Sequence, residues 1–455
     1  VAWRVSEEPW MKWSEEWLDN FKIRLSAGSM GNGNVDPYSY TSEMTVVTAS
    51  DIVLGGGLPS YTTVGSTVPV SLTWEKSTTY DVGLDLDFFN NRLSVSGDYY
   101  RRYTTDMYTP SISLPSVYGT TSPKGNNAEL RTTGWELSLT WRDSFKLGGK
   151  PFDYSIKAMV WDSKSVITKY VNDTGSLGTV KGFIENGGSP SSYYVGMTVG
   201  EIWGYTVAGL FRDQADIDSS AIHDFVQASD KVTRPGQVKI ADLDGNGFID
   251  PGNFAVDDHG DLRIIGNQSP RYRYGVNLSA RWNGIGLSVF LQGVGARDWY
   301  PGSDAGMFWG KYGRPFFALI PSIHNYTDDM YSAERNNWDT AYWPRMTTYQ
   351  SNGTKNWTRL LEIPNTRYIQ SAAYLRVKNI QLDYSFPKHI CSAIRLQGLK
   401  IYVNAENLFT FTPLHKYAPN FDPEGLSYDS DFASAADGYT YPILKSVTVG
   451  VNITF

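Results

Sequence analysis

Along much of the chain, apolar residues fall at every second position. From Ser446 to Phe455 the apolar set is Val447, Val449, Val451, Ile453 and Phe455, with Thr448, Gly450, Asn452 and Thr454 between them. Tyr272, Tyr274, Val276, Leu278, Ala280 and Trp282 interleave in the same way with Arg273, Gly275, Asn277, Ser279 and Arg281. Trp135–Arg142 and Val82–Phe88 repeat the pattern. Successive side chains of a strand point to opposite faces, so this period predicts strands with one apolar and one polar face. About ten are predicted, near residues 21–29, 80–89, 92–107, 132–142, 152–165, 270–282, 286–296, 374–386, 399–411 and 445–455. Val1-Ala2-Trp3-Arg4-Val5 reads as the end of another strand, and the chain reads as a piece of something longer.

A soluble sandwich alternates too, so the connections carry the next step. They are short at Asn90-Asn91, Asp143–Pro151, Asn283–Ile285 and Pro387–Gly398, and long at residues 30–79, 108–131, 166–269, 297–373 and 412–444. Compact soluble domains rarely hold loops beyond about 12–15 residues. Short turns on one rim and long loops on the other describe an outer-membrane barrel. Trp141, Trp282, Phe88, Phe89 and Tyr272 at strand ends fit interfacial aromatic girdles. The reading is an all-β, transmembrane antiparallel β-barrel with short periplasmic turns and long extracellular loops.

Composition narrows the chemistry. Of 455 residues, 14% are aromatic and 19% charged, and the formal net charge is −7. No run approaches the length of apolar residues a membrane helix needs. An acidic balance without basic runs argues against nucleic acid as a partner. Cys391 is the one cysteine, which excludes a disulfide framework, and five scattered histidines make a His/Cys metal site improbable. No nucleophile elbow, His-containing triad or phosphate-cradling glycine loop is present, so an enzyme is not expected.

Several phrases then resemble one family. Trp74–Leu84 (WEKSTTYDVGL), Thr133–Leu137 (TGWEL), Val199–Tyr205 (VGEIWGY), Leu375–Ile380 (LRVKNI), Asn404–Phe411 (NAENLFTF), Tyr441-Pro442 and Val449–Phe455 (VGVNITF) are similar to SusC/RagA-type TonB-dependent transporters of Bacteroidetes. They run in family order from one end of the chain to the other. The resemblance implies a barrel of about 22 strands, with an N-terminal plug, a TonB-contacting box and a SusD-like surface lipoprotein as lid. On that reading residues 1–455 are the C-terminal part of the barrel, and the plug and box are not in this sequence.

Two candidate sites stand out. Asp242-Leu243-Asp244-Gly245-Asn246-Gly247-Phe248-Ile249-Asp250, followed by Asn253, fits the start of a calcium loop, in which oxygens two residues apart converge around a hard cation. The expected ligands are Asp242, Asp244, Asn246, Asp250, the Phe248 carbonyl and the twelfth position. That position is Asn253 where a bidentate acid belongs, so weak, structural Ca2+ binding is expected. The alternative is a plain Asp/Asn/Gly turn. The second site is aromatic: Trp299, Tyr300, Trp309, Tyr312, Trp338, Trp343 and Trp357 crowd a predicted extracellular loop. Such rings stack on sugars or grip apolar peptide side chains and lid surfaces. Equally, a long loop needs a small core of its own.

The function read from these features is TonB-dependent import of oligosaccharides or peptides across the cell outer membrane, with a SusD-like lipoprotein partner. A soluble secreted glycan-binding or glycan-hydrolysing β-protein and a siderophore or cobalamin receptor are the alternatives.

Overall fold

The computed structural model describes residues 1–33, 44–50, 52–64, 72–110, 124–172, 174–178, 192–222, 233–301, 329–345, 363–426 and 443–455, with 41, 308 and 441. The chain begins with β1 (Ala2–Arg4) and β2 (Leu18–Asn32), then a loop hairpin of β3 (Met44–Thr48) and β4 (Ser60–Val64). Next come β5 (Glu75–Phe88), β6 (Leu93–Pro110), β7 (Lys124–Leu147) and β8 (Lys150–Lys169). The long excursion that follows holds β9 (Glu201–Tyr205), β10 (Val207–Leu210), β11 (Val238–Ile240) and β12 (Leu262–Asn267). The chain returns in β13 (Arg271–Trp282) and β14 (Ile285–Ala296), leaves again through β15 (Asp298–Trp299) and β16 (Gln370–Ser371), and closes with β17 (Tyr374–Ser385), β18 (Gly398–Phe411) and β19 (Ser446–Thr454).

Eleven of these strands form one antiparallel sheet in the order β1-β2-β5-β6-β7-β8-β13-β14-β17-β18-β19, with β1 and β19 at its edges. All ten strands expected from the alternation are there, and the fragment near Val1 is the eleventh. The pairs that the short turns join follow from local chemistry. Asn283 and Gly284 both have positive φ, 47° and 86°, the conformation of the two-residue turn that matches strand twist. The expected connection Asp143–Pro151 shrinks to Gly148-Gly149, because β7 and β8 keep pairing down to Leu147 and Lys150. Pro387–Gly398 instead holds a short helix, Lys388–Ala393. At the other rim residues 108–110 and 124–131 of the expected loop 108–131 are strand, since β6 and β7 rise as a tall hairpin to Pro110 and Lys124.

The sheet's two faces differ as the alternation requires. Register rows such as Leu25–Val82–Tyr99–Trp135 and Leu287–Leu382–Val403–Val449 put apolar side chains together on one exposed face. The opposite face carries Arg24, Asp85 and Asp98, with Arg24 in ion pairs of 2.9 Å to both acids. No second sheet covers the apolar face among the described residues. Val449 there is 73% exposed. That arrangement suits a wall between lipid and a polar lumen.

The main core lies outside the wall, in the long loops. Leu177, Trp203, Tyr205, Ile249, Trp299, Tyr368 and Leu414 belong to one buried cluster drawn from the connections after β8, β14 and β18. The loops are tied together by hydrogen bonds: the Tyr205 backbone N–H donates to the Pro364 carbonyl at 2.9 Å, and the Arg297 side chain donates from Nη2 to the Leu426 carbonyl at 2.7 Å. They are also tied to the wall, where Arg376 of β17 reaches Asp422 at 2.7 Å and Lys378 reaches Glu424 at 2.6 Å.

Candidate functional site

The acidic turn lies between β11 and β12. Asp242 accepts the N–H of Gly245 at 2.6 Å and of Gly247 at 2.9 Å; Asp244 accepts from Asn246 N–H at 3.0 Å. Gly245 and Gly247 take φ of 77° and 85°, which folds the chain back on itself after each acid. The far side of the turn is held by Ile222, which bridges Phe248 through the Gly247 carbonyl and the Ile249 N–H.

Carboxylate oxygens of Asp242, Asp244 and Asp261 lie within 4.8 Å of one another. Oxygens about 2.3–2.6 Å from a shared calcium can be no farther apart than roughly that, so the spacing fits a hard cation. Asp261 is fully buried, and its oxygens accept the N–H groups of Leu243 at 2.6 Å and Asp250 at 3.1 Å. Burial pushes its carboxyl above the usual carboxylate range, and the negative Asp244 and Asp242 push it further. Asp242 moves the other way, held low chiefly by the Gly247 N–H.

The sequence reading therefore needs correction in part. Asp242 and Asp244 converge as expected. Asn246 spends its Oδ1 on the Phe248 N–H at 2.7 Å and turns its Nδ2 toward Asp244 and Asp250, each at 3.2 Å. Asp250 is engaged by Gly252 N–H at 2.7 Å. Asn253 points away to Asp258. A third carboxylate, that of Asp261, joins the turn from just before the β12 strand. No spacing rule in the sequence pointed to it.

The aromatic site also changes character. Trp299, Tyr300 and Trp343 are 0%, 3% and 1% exposed, so these rings have no surface left for a lid or substrate. They build the loops' own core instead. Trp299 packs on Phe421 with centroids 4.8 Å apart, Phe308 on Trp343 at 5.2 Å, and Tyr342 stacks on Tyr417 at 3.6 Å. Trp338 is half-buried against the same cluster. Trp309, Tyr312 and Trp357 lie outside the described residues. Tyr368, Phe421 and Tyr417 were not singled out from the sequence, because isolated loop aromatics carry no periodic signal.

Comparison with known proteins agrees with the fold. Residues 11–221 match the family model described as TonB dependent receptor-like, beta-barrel. Over its whole length the chain is 26% identical to TonB-dependent receptor P3 of Formosa agariphila and 23% identical to TonB-dependent receptor SusC of Bacteroides thetaiotaomicron. It covers 41% and 39% of those proteins, so it spans about two fifths of the curated relatives it matches. Among solved structures, the RagAB peptide transporter superposes on all of the chain with a TM-score of 0.66 at 18% identity, over 42% of that chain. The RagAB peptide importer in its 'closed-closed' state gives 0.67 over 43%. With an eleven-stranded antiparallel wall, one apolar face and loops gathered at one end, this chain has the fold of a β-barrel segment and is similar to the barrels of TonB-dependent receptors, SusC among them.

Proposed function

We propose that this segment belongs to an importer of the bacterial outer membrane, driven through TonB, which carries oligosaccharides or peptides inward. The observation that carries the reading is the pairing of an apolar, lipid-compatible face with a charged opposite face on a single continuous antiparallel sheet. The relatives' names supply the TonB dependence, and the RagAB neighbours are named as a peptide transporter, which favours peptides of the two classes. On this reading the chain contributes wall and loops, while the TonB contact and the plug come from residues outside this sequence. A SusD-like lipoprotein covers the loop end. The exposed faces of the joined loops, rather than the buried Trp299, Tyr300 and Trp343, meet that lid and the substrate.

The acidic turn fits a structural role beside this function. Asp242, Asp244 and Asp261 would hold a hard cation, with Ca2+ the best match for an all-oxygen site. The cation would offset three negative charges and brace the loops. The test of the main reading is uptake: cells carrying the full-length protein take up labelled oligosaccharide or peptide only with TonB intact, and the protein extracts only with detergent. Extraction without detergent, or uptake unchanged without TonB, would overturn it.

A further inference from the structure

Between β1 and β2 the chain does not make a short turn. Residues 5–14 form two consecutive 3₁₀ segments, Val5–Glu7 and Pro9–Ser14. Their underside is apolar and seated: Val5, Met11 and Leu18 are buried against Phe21, Ile23, Leu86 and Phe88. By register those four share a face with Leu84, Val82 and Leu25, the exposed apolar face of the wall. Trp3 pairs with Ile23 and so lies on that face too. The segment is therefore folded onto the outside of the wall and not into the lumen.

Its upper side presents indole rings. Trp10 is 58% exposed and Trp13 70%, with Trp3 and Trp17 also exposed. The rings fall in two groups: Trp3 meets Trp10 edge-on at 6.4 Å, while Trp13 lies 6.0 Å from Trp17, which stacks on Phe88 at 5.9 Å. The segment sits at the short-turn rim, because Phe89 N–H donates to the Trp17 carbonyl at 3.0 Å and Asn91 N–H to Asp19 at 2.9 Å. The same rim carries a register row of outward aromatics across neighbouring strands, Phe145–Phe152–Trp282 and on through Ile285 to Tyr384. The tryptophans lie at the same rim and on the same face of the sheet as that row.

We propose that residues 5–17 are a membrane foot: a monotopic element lying on the outer wall, whose tryptophans insert at the headgroup–acyl boundary of the leaflet nearest the short turns. Indole suits that boundary because its ring is apolar and its N–H still needs a polar partner. The segment carries Lys12, with Arg4 just before it, against Glu7, Glu8, Glu15 and Glu16, so its charge selects a zwitterionic phospholipid surface over an anionic one. Its contact widens the barrel's grip on the leaflet over one sector, and so sets depth and tilt locally.

This inference rests on the membrane-spanning reading, and the test separates the two. The full-length receptor is placed in phosphatidylcholine vesicles with an environment-sensitive fluorophore on Trp13→Cys or, as a wall control, on Leu84→Cys, in a background lacking other cysteines. Heat-modifiable migration checks folding of each variant. The Trp13 label should emit blue-shifted and be quenched more by lipids brominated near the headgroup than by those brominated deep in the chain, since an interfacial ring sits only about 5–10 Å into the boundary. The Leu84 label should be quenched more by the deep bromines. A quenched wall label with an unquenched, water-like Trp13 label overturns the foot alone. Shielding of the Trp13 label only on adding a periplasmic extract assigns the surface to a protein and also overturns it. Neither label quenched overturns the barrel reading itself.

Discussion

Replacing Trp343 with alanine removes the side chain that joins the separate loops into one body. Trp343 is 1% exposed, with Phe308 at 5.2 Å, Tyr368 stacked at 5.7 Å and Tyr342 at 5.0 Å. Truncating a fully buried tryptophan costs about 3–5 kcal/mol, from lost burial and from the cavity left behind. Each 1.4 kcal/mol is a factor of ten, so the loop unit's opening constant should rise at least about a hundred-fold. The wall touches this core only near its loop end, through Ile167 of β8 and Leu130 of β7, among the described residues, so β5 and β6 should keep their stability. Native-state hydrogen exchange on the full-length protein, followed by peptide mass, reads both effects. Faster exchange is expected not only in residues 329–345 but also in 199–210, 297–301 and 414–426, which share the cluster. A rise confined to 329–345 would show that the loops open independently, and the argument for one joined unit would fail.

Other outcomes follow from the same structure. Val449→Arg on the exposed apolar face should cost about 2–4 kcal/mol if it sits near the bilayer midplane, read as a lower urea midpoint for folding into vesicles; no shift there would argue that this face does not meet lipid. Asp261→Asn should abolish calcium-dependent protection of residues 242–262 from protease. The native carboxyl of Asp261 is raised, so in chelator its ionisation opposes folding: loop stability is fullest below the ordinary carboxylate range and falls as pH rises through the raised value. The Asn variant should lack that fall, and a loop equally pH-sensitive in both proteins would refute the assignment. Arg376→Met leaves Asp422 without its buried cation and Glu424 with Lys378 alone, and should destabilise docking of the 412–426 segment by up to about 3 kcal/mol; limited proteolysis that finds this segment as protected as before would contradict the clamp.

The strands and faces of this protein were legible in its sequence because they depend on near neighbours. A strand that divides an apolar solvent from a polar one writes its period of two directly into Val447–Phe455 and Tyr272–Trp282. Turns such as Asn283-Gly284 write their positive φ in the residue types allowed there. The aspartates of the 242–250 turn were equally visible, since an Asx turn needs only residues two or three apart. What could not be read was decided by contacts between distant residues. Asp261 enters the acidic cluster because the chain from Asp250 to β12 turns back on itself, not because of any spacing rule. Trp299 and Trp343 looked like surface binders until Phe421 and Tyr368 covered them. Trp10 and Trp13 gain their place only from Val5 and Met11, which seat the segment on the outside of the wall. Whether an aromatic ring in a loop becomes core, ligand contact or membrane contact depends on which remote surface arrives to cover it, and that is a property of the packed structure alone.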